Sequence, residues 1–205
     1  MVLKELDPFG GGPDELADRM EADKLAYYLR RHYRLSNSVD VLNGVRVLSG
    51  SSMARVDHLL LHEYGMLVLL REPARGRMRV DLDGQWFREQ GDGWTPMASP
   101  ITHAYVQALL LNSQMDRKGH QRGFFNQMDL DVLIVLDDGC VVNWPTSGPL
   151  DEVCMRDDVH DHVERQLTQC LNSATRPGPL NEAKRRTLCE FLCAVHQPLG
   201  REGRT

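Results

Sequence analysis

Asp57-His58 stands between Val56 and the run Leu59-Leu60-Leu61. An aspartate inside an apolar strand is costly to bury unless it is paired or metal-bound. Downstream, Arg71, Arg75, Arg77 and Arg79 form a basic cluster, and an extended backbone puts the last three on one side. Such a stripe can contact phosphates. It can equally be the solvated face of a hairpin beside Glu72 and Asp81, and the sequence leaves both readings open. Lys118, His120 and Arg122 precede the pair Phe124-Phe125. Cations mixed with aromatics can stack single-stranded bases, and two such phenylalanines can also tuck a loop onto the core or cover a partner surface.

Two further groups have metal-ligand chemistry. Cys189, Cys193 and His196 fall at i, i+4 and i+7 of one helical stretch, and Cys170 could complete a zinc set. No short cysteine knuckle on a turn accompanies them, so an apolar stripe of Leu188, Cys189, Leu192 and Cys193 is the preferred reading. His160 and His162 are two apart, which on a helix turns them away from each other. With Asp157 and Asp158 they suit a solvated helix start at the positive end of the dipole.

The elements that must position these residues follow from hydrophobic period and punctuation. Residues 1–13, ending Gly-Gly-Gly-Pro, read as a flexible lead-in. Asp14 is the expected cap of a helix carried by Leu16, Met20, Leu25, Tyr28 and Leu29. Short Val- and Leu-rich pieces come next, at 39–41, 45–48, 55–62 and 66–70, with turn signals at Asn43-Gly44 and Glu63-Tyr64-Gly65. A hairpin is expected at 77–88, turned at Asp83-Gly84, followed by a loop from Trp94 to Ser99. Ser99-Pro100 opens a helix to about residue 115. After a glycine-dotted loop come two strands, at 130–136 and 140–144, joined by Asp137-Asp138-Gly139. Helices at about 157–171 and 181–196 complete the order, separated by Pro177-Gly178-Pro179. This predicts an α/β architecture with one mixed sheet.

Composition narrows the function classes. The 205 residues carry 24 basic and 29 acidic side chains, a formal charge of −5, so nucleic-acid binding must rest on a local patch rather than on the whole field. The longest apolar runs are far short of the roughly 20 residues a membrane helix needs, and no signal-peptide core opens the chain. Five cysteines, an odd set, do not form a secreted disulfide framework. The expected setting is cytoplasmic, with no membrane partner and no small-molecule cofactor.

The ordered series Leu42-Asn43-Gly44-Val45-Arg46-Val47, Val56-Asp57-His58, Gly65 to Leu70, then Gly76, Trp86 and Ser99-Pro100-Ile101-Thr102-His103 resembles the nuclease-related domain (NERD) of the PD-(D/E)XK nuclease superfamily. The likeness covers about residues 21–115 and, more loosely, the strands to residue 144. It implies a restriction-endonuclease-like α/β fold, a central mixed sheet flanked by helices, with a core at 14–145 and a C-terminal helical extension at 146–205 packed on the same domain.

The resemblance also implies a site. Such nucleases hold Mg2+ or Mn2+ between carboxylates on adjacent strands, with a lysine two residues after the second acid to orient water. Asp57 matches the first acid, but Leu70 falls where the second should be and Glu72 where the lysine should be. His103 takes the position of the family's glutamine, and the helix glutamate falls near Ala22, between Glu21 and Asp23. No metal is therefore expected unless Asp57, Glu72, Glu21 and His103 surround a displaced ion. The expectation is a degenerate module that binds nucleic acid or protein, with Arg71, Arg75, Arg77, Arg79, Lys118 and Arg122 as nucleic-acid contacts. The alternatives are a divergent metal-dependent DNA endonuclease with a rearranged site, and a structural subunit of a larger assembly or homo-oligomer.

Overall fold

The computed structural model describes residues 1–9, 11–72, 76–118, 128–173, 178 and 180–198, with backbone alone for 13, 14, 116–118 and 173. The described elements are β1 (Val2–Lys4), α1 (Pro13–Tyr33), β2 (Val39–Ser49), β3 (Ser52–His62), β4 (Gly65–Glu72), β5 (Gly76–Val80), β6 (Trp86–Gln90), β7 (Gly93–Met97), α2 (Pro100–Lys118), β8 (Asp129–Leu136), β9 (Cys140–Asn143), β10 (Val153–Met155), α3 (Val159–Ser173) and α4 (Glu182–Val195).

A central sheet runs β1-β2-β3-β4-β8-β10. The β2-β3-β4 stretch is antiparallel, while β4, β8 and β10 are mutually parallel, and β1 lies parallel to β2. Parallel strands covered on both faces read as continuous apolar runs, and β4 shows it. Met66, Val68 and Leu70 enter one core layer with α2 and α4, while Leu67 and Leu69 enter the other with Leu25, Leu29 and Tyr33 of α1. Strand β8 alternates in the same way, with Val132, Ile134 and Leu136 on the α2 side and Leu133 and Val135 on the α1 side. Gly65 is required where β4 starts beside β8, since a Cβ there would lie 2.0 Å from the Asp129 carbonyl oxygen.

A second sheet, β7-β6-β5-β9, takes β5, β6 and β7 from the stretch between β4 and α2 and β9 from after β8, and docks Met78, Val80 and Trp86 onto the α2-side core. Mixed sheets flanked by helices, with helices at the C-terminus, are the α/β architecture expected of a nuclease-like fold.

Several local expectations are corrected. Residues 2–4 of the lead-in form β1, and the Met1 amino group meets the carbonyl oxygen of Val39 and the Asp40 carboxylate. Helix α1 is capped by Gly12 with Pro13 in its first turn, not by Asp14. The segment expected as a loop after Trp94 contributes β7, whose pairing with β6 covers an edge that local composition does not announce. The short β10 was not expected, because three residues are too few to show a period. Asp137-Asp138-Gly139 joins β8 to β9 but carries the chain from the central sheet to the second rather than turning it within one sheet. Asn43-Gly44 does not turn the chain either: β2 runs through it, with Gly44 at φ 64°.

That glycine marks a break in the pleat. Leu42 and Val45, three apart, both enter the α2-side core, as do Val56 and Leu59 on β3. The register stays continuous, Asn43 opposite His58 and Val45 opposite Val56. Both strands therefore lose alternation at the same place, and Asn43-Gly44 and Asp57-His58 occupy it.

Candidate functional site

The pleat break is where polar side chains enter the sheet. His58 is fully buried and its Nδ1 lies 2.8 Å from Asn43 Oδ1. The amide oxygen accepts, so Nδ1 carries the proton, and Nε2 is left buried with no protein partner. Burial, and next the Arg71 charge, push the imidazole down to about 3.

Asp57 comes next to it. The paired ladder between β3 and β4 ends at His58–Leu69, so the strands separate just where Asp57 and Leu70 would face each other. Into that gap the Asp57 carboxylate turns, and Oδ2 accepts the backbone N–H of Arg71 at 2.8 Å. Burial raises the proton affinity of Asp57 and the Arg71 amide works against that rise. Leu70 lies on the α2 side of β4 at 7% exposure, packed in the core. Glu72, on the same face two residues on, reaches the second sheet, where Arg88 Nη2 holds it at 3.0 Å.

Arg71 points the other way. Its side chain is 5% exposed and its guanidinium donates to the Asp18 carbonyl at 2.9 Å and to the Asp18 carboxylate. Asp137, after β8, is 8% exposed with one carboxylate oxygen unpartnered. Burial raises its proton affinity, while the Arg71 charge is the largest influence against that rise. Beside it Arg156 binds Glu21 at 2.8 Å and the Asp138 carboxylate. Lys24 holds Glu21 from within the helix at 2.6 Å, and that bond above all lowers its proton affinity. Two arginines thus tie the first half of α1 to the carboxyl ends of β4, β8 and β10.

Of the residues singled out by sequence, Arg71 meets Asp57 through its backbone N–H, and His103 is close enough for its charge to act on Asp57. The exposed His103 ring lies 3.0 Å from the Gln107 side-chain nitrogen, and a positive charge on it lowers the proton affinity of Asp57. Glu72 and Glu21 are each held by arginines, away from Asp57. The set does not fit a divalent ion: the position facing Asp57 is apolar, and among the described residues no three His, Cys, Asp or Glu side chains converge in a way that could hold one. Arg88 and Asp18, the partners that fix this arrangement, carried no sequence signal, since each is an ordinary surface charge until the fold brings it in.

Arg77 and Arg79 lie on the outer face of β5. Arg79 rests over the Phe87 ring at 4.6 Å and the Trp94 ring at 5.1 Å. Arg77 is 3.5 Å from Glu89. Arg75 and Arg122 lie outside the described residues, as do His120 and Phe124-Phe125, and Lys118 is described by its backbone alone.

In α4, Leu188, Cys189 and Leu192 pack into the core while Cys193 is exposed. The His196 ring accepts the Arg46 backbone N–H at 3.1 Å through Nδ1 and meets both Asp7 oxygens at 3.0 Å through Nε2. His160 contacts Tyr33 and stacks on His32, whereas His162 is buried.

Comparison with protein families matches residues 18–136, more than half of the chain, to the nuclease-related domain. The chain belongs to the nuclease-related domain family. The match opens at Asp18, the partner of Arg71, and closes at the end of β8. It contains Asp57 with Leu70, Arg71, Asp18, Glu72 and Arg88, while Asp137, Asp138, Arg156, β9, β10, α3 and α4 lie beyond it. No curated protein and no solved structure matches the chain. Among the described residues, no helix of this nuclease-related domain protein is long and apolar enough to cross a membrane.

Proposed function

We propose that this nuclease-related domain does not hydrolyse phosphodiesters and acts as a module that binds nucleic acid. The observation that carries the first half is Leu70, a buried leucine one step beyond the last paired position of β3 and β4, where a continued ladder would set it opposite Asp57 and a second carboxylate would hold the ion. A hard divalent cation needs several oxygen ligands, and Asp18, Glu72 and Glu21 are engaged by arginines. Asp57 then has a structural duty, accepting an amide hydrogen where two strands part.

The binding half is supported by the outer face of the second sheet. Arg77 and Arg79 stand there beside Phe87 and Trp94, side chains suited to phosphate contact and to stacking on bases. With a net charge of −5, such a local patch must carry the electrostatic attraction.

The test is fluorescence anisotropy with labelled single- and double-stranded DNA, at low and at physiological salt, with magnesium present and the strands checked for integrity. Salt-sensitive binding is expected, weakened roughly tenfold in the Arg77→Ala/Arg79→Ala variant, with the DNA left intact. Absence of binding at low salt overturns the nucleic-acid half and favours a protein partner. Cleavage that disappears in Asp57→Ala overturns the other half.

A further inference from the structure

A cavity of about 390 Å³ lies between the end of β8, the β9–β10 connection, β10 and the first turns of α3, with only Leu136 of its lining inside the family-matched segment. Its volume falls within the range of small-ligand pockets. Leu136, Trp144, Leu150 and Met155 give it an apolar wall, and Asp151, Asp158 and Asp161 give it carboxylates. A second hollow of about 180 Å³ shares Asp151, His162 and Arg165 with it and adds Asp131 and Glu152. His162 is buried in the wall common to both.

The charges are unevenly distributed. Elsewhere Glu21 has Arg156, Asp40 has Arg185 and Glu72 has Arg88 as ion-pair partners. Around the two hollows, five carboxylates face Arg165 alone, and no ion pair involves any of these six groups among the described residues. The α3 dipole favours negative charge at Asp158 and Asp161 but does nothing for Asp131, which sits against Asp129 and Glu152. Burial and those two neighbours raise the proton affinity of Asp131, so added positive charge there relieves crowding.

Two carboxylate groups with an apolar surface beside them match a ligand with more than one cationic centre and a flexible hydrocarbon chain. We propose that the two adjoining hollows together bind a linear aliphatic polyamine, with its methylenes on the Leu136–Trp144–Leu150 wall and its ammonium groups at Asp158/Asp161 and at Asp131/Asp151/Glu152. Trp144 can add a cation–π contact to one ammonium. The binding is independent of nucleic-acid contact on the second sheet.

Calorimetric titration of the full chain with spermidine tests it. Saturable binding with one ligand per chain is expected, weaker for hexylamine, which has one charge, and absent for 1,6-hexanediol, which has none. Asp151→Asn/Asp161→Asn should weaken spermidine binding at least tenfold. The charge-matched control Asp83→Asn/Asp92→Asn, on exposed turns of the second sheet, should leave it unchanged. Both pairs replace exposed side chains, and melting profiles confirm that the variants are folded. No saturable binding, or an equal effect of the two pairs of substitutions, overturns the proposal, the second because it reduces the interaction to net charge.

Discussion

Asp57 distinguishes a structural carboxylate from a catalytic one by what replaces it. Its oxygen accepts the Arg71 N–H at the point where β3 and β4 part. Asp57→Ala leaves that donor without its acceptor and should cost about 1–3 kcal/mol in urea denaturation. Asp57→Asn keeps a carbonyl oxygen in the same place. Because burial raises the Asp57 proton affinity, the ionised form is disfavoured by folding at neutral pH. The asparagine variant is therefore expected to be as stable as the wild type at pH 7, or more so. His58 makes a second residue-scale prediction. Its folded value of about 3 lies below the ordinary 6.5, so below pH 6.5 the unfolded chain takes up a proton that the folded chain refuses. The stability this supplies is complete above pH 6.5 and is lost as the pH falls toward 3. Between pH 7.5 and 5 the loss from His58 is about 2 kcal/mol. His62, held down to about 4 by burial, adds in the same direction. Unfolding free energies from urea denaturation at the two pH values should differ less in His58→Leu than in wild type, by about that amount.

At the scale of elements, α4 is fastened to the central sheet by one buried pair. Arg185, 4% exposed, donates to Asp40 on β2 at 3.1 Å and to the carbonyls of Leu180 and Asn37 at 3.1 and 2.5 Å. Removing one partner of a buried pair strands the other, at a cost of about 3–5 kcal/mol. Arg185→Met should lower stability by that order, read by chemical denaturation. The double change Leu70→Glu/Glu72→Lys tests β4. It rebuilds acid and lysine on one strand face beside Asp57. It should raise magnesium affinity in calorimetry while lowering stability, since a packed leucine is replaced by a charge and Arg88 loses its partner. A folded double variant with no gain in magnesium affinity would show that Leu70 does not stand beside Asp57.

The elements differ in how far local sequence disclosed them. Strands β3, β4 and β8 were legible because both faces are buried and the apolar runs are long. Helix α2 was legible because Ser99-Pro100 announces it, and Ser99 Oγ does accept the Thr102 N–H at 3.3 Å. Strands β1, β7 and β10 were not, since each is short and is stabilised by a neighbour remote in sequence. Asn43-Gly44 misled because glycine with positive φ serves a pleat break as well as a hairpin turn. Around Asp57 the residues of β3 and β4 could be read from spacing. The backbone donor of Arg71 and the clamps from Asp18 and Arg88 could not, because they arise from three-dimensional neighbours.

On the scale of the whole molecule, a nuclease-related core spans residues 18–136, and the rest of the described chain packs onto it. Strand β10 extends the central sheet, Val159 and Val163 of α3 join the α1-side core, and Leu188 and Leu192 of α4 join the other. In the proposed reading, Asp57 stands for the first acid of the family pattern and Leu70 takes the place of the second. The most direct measurement is nicking of supercoiled plasmid by the wild-type protein and by Asp57→Ala, side by side, with magnesium and with manganese. The wild type is predicted to nick no faster than Asp57→Ala under either ion. Metal-dependent nicking by the wild type that is abolished in a folded Asp57→Ala variant would contradict the central claim.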